Sequence, residues 1–333
     1  MRQKPRCVLI FALALTVFAW SAAPAVAAAP KMDTVTYGVV SWNPLHWVVM
    51  AGAVKGHFER HGVKLDIPIT GSASAAVQAV LGGSIHMTTT TPGAAFAAQE
   101  KAPEMKQIIG VFNRSPYTLV VNPEIKNIQD LKGKVLGGTG VKTGADTETL
   151  RVMLHHHGFQ DPRDYTVAAV GSVRERSQAL LNKTIWGVAQ MEPFTSFLKD
   201  QGMVELARAA DYPDLRLIQM VMVVAMRPWY TANEETTVRF MRGWADATEW
   251  LYDPKNKAEA TKILAERMKV EERYAANAYR VFVEELKGYP RRGELDMQGL
   301  RQGAENMKIV GGTPPADLAK YVDTSIWEKA FGR

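Results

Sequence analysis

Cysteine is almost absent: the 333 residues contain one, Cys7. Beyond that position there is no thiol for a disulfide, for cysteine-ligated zinc or for nucleophilic catalysis. Long apolar runs are also missing. The longest, "VLIFALALTVFAW" at 8–20, has 13 residues, short of the roughly 20 needed to span a bilayer. No five basic residues follow one another, which argues against a nucleic-acid partner. No internal repeat or low-complexity tract interrupts the chain after residue 30, so the solenoid classes drop out.

What is there begins with a leader. Arg2, Lys4 and Arg6 precede the apolar run, and "SAAPAVAAAP" follows it. This three-part pattern is that of an export signal, with cleavage expected after Ala25-Val26-Ala27, so residues 1–27 are read as a signal peptide. Its three bases leave 40 − 3 = 37 Lys+Arg against 34 Asp+Glu, and the net charge falls from +6 to +3. The roughly 300 remaining residues suggest two domains.

Short strands alternate with helices through the first two-thirds of the chain. Strands are expected at 34–40, 63–69, 85–90, 105–112 and 118–123, before the glycines at 137–138, and then at 166–171, 184–190 and 216–226. Helical patterns fill the gaps. From Asn233 onward the pattern is almost wholly helical. Such alternation implies βαβ units and largely parallel sheets. The pattern restarts after "NRSPY", and the breaks at 112–118 and 210–215 suggest a chain that crosses twice between lobes. The expected fold is α/β and two-lobed, each lobe a mostly parallel sheet flanked by helices, with a helical C-terminal region. Lobe 1 takes 30–115 plus 216–333, and lobe 2 takes 116–215.

Three segments carry a resemblance: "GHFERHGVKLDI" at 56–67, "LKGKVLGGTG" at 131–140 and "QMEPF" at 190–194. In this order they resemble the periplasmic binding proteins of ABC importers for alkanesulfonate, taurine and nitrate, a family that includes binders of thiamine-pyrimidine precursors. The resemblance covers about residues 33–250. It implies a type II binding-protein fold and an exported, monomeric receptor. Such a receptor captures a small ligand between its lobes and hands it to a membrane permease, without a cofactor and without catalysis. An alkanesulfonate-like organic anion is the first expectation, and an aromatic acid or heterocycle the alternative. Enzymes of the same fold make the thiamine pyrimidine from a pyridoxal cofactor. They use a cysteine-rich motif, which this chain lacks. The chain departs from the family pattern at "LLNKTIWGVAQMEP", where Asn182-Lys183 stands in place of a glycine turn and Gly187-Val188 in place of an acidic step.

The glycine-rich segment 137–144 tests the nucleotide alternative. A phosphate loop needs Gly-Lys-Ser/Thr in succession, and Val141 separates Gly140 from Lys142. A dinucleotide fingerprint needs glycine where Thr143 stands. What survives is a helix start whose free N–H groups and dipole suit an anion, with Thr139 and Thr143 adding hydroxyls. Ligands of open α/β sheets bind at the carboxyl ends of strands. That places Ser41, Trp42, Asn43 and His46 after the first strand, Gly71 and Ser72 after the second, and Thr90 and Thr91 after the third. In the second lobe Ser172 and Arg174, with Arg176 as the alternative arginine, open another helix, and an arginine there would fork onto a carboxylate or sulfonate. Glu192 occupies the position of the family's Glu-Pro acid, which implies either a contact with a ligand amine or a pairing with one of the arginines. His155-His156-His157 is not read as a metal site, because consecutive helix positions point in different directions.

Overall fold

The computed structural model describes residues 32–141 and 144–332. The expected signal peptide, Cys7, Lys142 and the candidate Thr143 lie outside the described residues.

Two five-stranded sheets form the frame. The first has the order β2-β1-β3-β10-β4, from β1 (Asp33–Gly38), β2 (Val63–Asp66), β3 (Met87–Thr90), β4 (Met105–Phe112) and β10 (Val221–Met226). The second has the order β7-β6-β8-β5-β9, from β5 (Thr118–Val121), β6 (Val135–Gly138), β7 (Thr166–Ala169), β8 (Gly187–Gln190) and β9 (Val204–Arg208). The two sheets are built alike. Four strands in each point the same way, joined by crossover helices, and the strand that has crossed from the other sheet pairs antiparallel: β10 with β3 and β4, β5 with β8 and β9. The sheets are therefore mixed, because a chain entering from the neighbouring lobe comes from the opposite end.

The crossover helices are α1 (Trp47–Val54), α2 (Ala73–Leu81) and α3 (Pro92–Gln99) in the first lobe, and α4 (Ala145–His155), α5 (Val173–Leu181) and α6 (Phe194–Asp200) in the second. The return carries the short α7 (Pro213–Arg216). The C-terminal layer holds α8 (Arg227–Ala232), α9 (Glu234–Tyr252), α10 (Lys257–Met268), α11 (Glu272–Tyr279), α12 (Met297–Ile309) and α13 (Ser325–Phe331). Among the described residues no helix is long and apolar enough to cross a membrane.

The core explains the sequence pattern. All eight residues of β4 are buried although it is the last strand of its sheet, because backbone at Gly293, Tyr321 and Asp323 hydrogen-bonds to Gln107 and Gly110 along its outer edge. On one side α9 lays Phe240, Trp244, Ala247 and Leu251 against the sheet and α1. The approach is close because Gly52 and Gly243 face Phe58: a Cβ at Gly52 would sit 2.4 Å from its ring, and one at Gly243 2.8 Å from its ring. Two strands depart from the sequence expectation, one unforeseen and one shortened. Val204–Arg208 pairs as β9 although its composition is mixed, and the run 216–226 is a strand only from Val221, since Pro213 starts a helical turn first.

The two crossings between the sheets run side by side. The N–H of Ser115 donates to Leu215 O at 3.2 Å, and that of Met220 to Phe112 O at 2.9 Å. His156 and His157, at the end of α4, hold the same segment through Asp214 (2.7 Å) and the Tyr212 hydroxyl (2.9 Å). The histidine run thus braces the crossing. Among the described residues no cluster of three metal-ligating side chains occurs.

Candidate functional site

The carboxyl ends of both sets of parallel strands open onto one cavity of about 410 Å³, within the usual range for small-ligand sites. Four helices begin on its wall: α2 at Ser72, α3 at Thr91, α4 at Gly144 and α5 at Ser172. Their first-turn N–H groups lack intrahelical partners, and their dipoles add positive potential. The acids are unevenly placed. First turns in α2 and α3 carry none, whereas α4 carries Asp146 and Glu148 and α5 carries Glu175.

On the first-lobe wall Ser41, Asn43, His46, Gly71, Ser72, Thr90 and Thr91 all line the cavity. Asn43 is partly committed to its own turn, accepting from Leu45 N at 2.9 Å. Ser72 accepts from Ala75 N at 3.1 Å and Thr91 from Ala94 N at 3.4 Å, as helix caps do. His46 is buried, which holds its imidazole down at about 4, so it is neutral at pH 7 and offers a hydrogen bond rather than a charge. The Thr90 hydroxyl is different: its residue is 4 % exposed and its oxygen has no partner.

The second-lobe wall centres on an arginine. Arg176 is 2 % exposed. Its Nη1 donates to the Thr139 hydroxyl and to Gly171 O, both at 2.7 Å, and lies 3.6 Å from Asp146 Oδ2. Its Nε is buried without a partner. Asp146 in turn accepts from Thr139 N at 2.8 Å and from the Thr139 hydroxyl at 2.7 Å. The glycines of this loop serve compactness. A Cβ on Gly138 would stand 2.2 Å from the Thr147 hydroxyl, and Gly144 has φ +128°, which few other residues adopt. Ser172 lines the cavity in a reciprocal cap with Glu175, whose carboxylate accepts from Ser172 N at 2.6 Å.

Three sequence candidates lie elsewhere. Arg174 donates to Met268 O at 2.8 Å and Lys269 O at 3.2 Å, closing the end of α10, and stacks over Phe194. Trp42 carries Arg267 over its ring at 5.4 Å. Glu192 accepts from Ser196 N and Oγ at the start of α6, and burial pushes its carboxyl up. None of these three lines the cavity. Arg176, the alternative to Arg174, does, and so does Asp146, which was not chosen from sequence. Helix periodicity carried the signal for the arginine: Val173, Arg176, Ser177 and Leu180 form one buried face, and Arg174 lies on the other. Tyr117, Met191, Leu45 and Val221 add apolar wall that came from four separate segments.

A family model described as "NMT1/THI5 like" matches residues 43–258, about two-thirds of the chain. No curated protein matches the sequence significantly. Among solved structures, the chain is similar to the alkanesulfonate-binding protein SsuA from Xanthomonas axonopodis pv. citri bound to MOPS (TM-score 0.71, 19% identity, covering 90% of this chain and 100% of that one). It is similar also to the periplasmic nitrate-binding protein NrtA from Synechocystis PCC 6803 (TM-score 0.69, 13% identity, 91% and 89% covered). A third similar structure is the desulfurization enzyme DSZB (TM-score 0.63, 13% identity, 90% and 99% covered). At these identities the likeness concerns the fold.

Proposed function

The chain belongs to the NMT1/THI5-like family, and from that premise we propose that it is an exported solute-binding protein of an ABC importer. Residues 30–115 with 216–333 act as one lobe and 116–215 as the other, hinged at the paired crossings. A small organic anion of the alkanesulfonate type binds between them, and the closed, loaded monomer docks on a membrane permease. Residues 1–27 direct the chain to the periplasm and are removed.

One observation carries this reading: two buried donors without partners, the Thr90 hydroxyl and Arg176 Nε–H, belong to residues on opposite walls of one cavity. Buried polar groups are almost always satisfied, so an acceptor-rich ligand bound by both walls supplies what each lacks. Contacts made by both lobes exist only in the closed form, and the ligand shifts the population toward it. The acid-free starts of α2 and α3 favour the ligand's negative group on the first-lobe side. The similar structures SsuA, an alkanesulfonate-binding protein, and NrtA, a nitrate-binding protein, lend support to an anion.

A second reading has its own observation. Asp146 stands 3.6 Å from Arg176, and Arg176 is the one Lys or Arg among the described lining residues. The cavity therefore has no surplus positive charge, which suits a neutral heterocycle. Thermal-shift and calorimetric titration with methanesulfonate, hexanesulfonate, nitrate, benzoate and an aminopyrimidine separates the two. Stabilisation by the sulfonates is expected. Stabilisation by the pyrimidine alone replaces the anion reading, and a flat response to all five removes both ligand classes. Because one similar structure is the desulfurization enzyme DSZB, the ligand should also be recovered by mass spectrometry after long incubation, and it is expected unchanged.

A further inference from the structure

A second cavity, of about 200 Å³, adjoins the first. Ala145 lines both, and Thr91 faces the larger one while its neighbours Pro92 and Gly93 face the smaller. The walls of the smaller chamber are largely apolar, with Val152, Leu215, Ile218, Met220 and Met307 among them. One acid stands in this lining, Glu148 of α4. Its Oε1 accepts from the Thr91 hydroxyl at 3.1 Å. Gly93 lies alongside: an added Cβ would sit 3.6 and 3.8 Å from the two carboxyl oxygens, so α3 puts no side chain over them at that point. Among the described residues Glu148 forms no ion pair. Arg151, one turn on, is bound to Asp161.

An acid set in an apolar chamber, with its neighbouring cation Arg151 bound to Asp161, is costly in its charged form. A ligand that brings the opposite charge, together with apolar surface, recovers that cost and fills the void. We propose that the smaller chamber binds an organic ammonium ion carrying a short apolar substituent, with Glu148 as its counter-ion. At roughly 30 Å³ per small group the chamber admits about seven non-hydrogen atoms. The assignment does not rest on which molecule occupies the larger cavity. Burial raises the Glu148 carboxyl to about 7, and at pH 8 it is charged.

The test uses two probes of equal size, n-pentylammonium and 1-pentanol, titrated calorimetrically into the purified protein at pH 8. The ammonium ion is expected to bind at least tenfold more tightly than the alcohol. Glu148→Gln should bring the two within about twofold of each other. Ala97→Trp, on an exposed position that lines the chamber, should weaken both, with thermal unfolding verifying that each variant is folded. Equal affinities in the wild type, a preference that persists in Glu148→Gln, or full binding in Ala97→Trp would each overturn the assignment. These outcomes leave the anion reading of the larger cavity untouched, since sulfonate titration reports on that site alone.

Discussion

Thr90 ends β3 with a hydroxyl that is buried and unpartnered, and a valine has nearly the same shape. Thr90→Val therefore separates folding from binding. In the unliganded protein an unsatisfied group disappears, so stability should stay level or rise. In the complex a hydrogen bond to a charged ligand is lost, worth about 1.5–3 kcal/mol, or roughly 10–150-fold in affinity. Denaturant unfolding without ligand and calorimetry with hexanesulfonate measure the two halves. A variant that loses stability but keeps its affinity would mean that Thr90 packs and does not bind. Arg176 does not allow so clean a test, because its removal would strand Asp146, which lies 3.6 Å away with only the Thr139 donors left. At this scale the sequence was partly legible. Position after a strand picked out Ser41, Asn43, His46, Ser72, Thr90, Thr91, Thr139 and Ser172, all of which line the cavity. The same rule offered Trp42 and Arg174, whose side chains turn to Arg267 and to the end of α10. Loop position says which residues are near a site, and side-chain direction then depends on packing that a single sequence does not display.

At the scale of elements, periodicity told more. The buried face of α5 includes Arg176 by spacing alone, and the apolar run from Ile108 to Phe112 reads as a buried strand. What was not legible were pairings that depend on distant chain. β9 has no apolar alternation of its own and is held by β5, while the antiparallel direction of β5 and β10 follows from the crossings between lobes. The α1–α9 contact makes a sharper case. Glycine inside a helix usually costs about 1 kcal/mol relative to alanine, so Gly243→Ala would ordinarily stabilise α9. Here the new Cβ would lie 2.8 Å from the Phe58 ring and 3.0 Å from its Cα. The backbone cannot yield as a flexible side chain can, and overpacking of this kind costs about 1–3 kcal/mol. A net loss of up to about 2 kcal/mol is expected in urea unfolding. If the Gly243→Ala variant proved more stable than the wild type, α1 and α9 would have to move apart without cost.

At the scale of the molecule, two buried groups on the interlobe region oppose each other as pH changes. Burial holds His46 down at about 4, so the folded protein takes up fewer protons than the unfolded chain between about 6.5 and 4. Its share of stability is complete above 6.5 and is lost as pH falls toward 4. Glu148 has the reverse sign. Desolvation lifts its carboxyl to about 7, the neighbouring charge of Asp146 adds to the lift, and the Thr91 hydrogen bond and Arg151 oppose it. The folded protein binds the extra proton between about 4.5 and 7, and this contribution disappears as pH rises through that window. Glutamine keeps the shape and the acceptor for Thr91 but carries no charge to desolvate. Glu148→Gln should thus stabilise the protein at pH 8, by about 3 kcal/mol at most, and the gain should shrink toward zero near pH 4.5. Urea unfolding of both proteins at pH 4.5, 6 and 8 measures the difference. A gain that does not change with pH would place the effect in packing and would mean that Glu148 titrates as an ordinary surface acid. A gain that grows with pH, and that pentylammonium abolishes by stabilising only the wild type, ties the chamber between α3 and α4 to the same carboxyl from the side of folding.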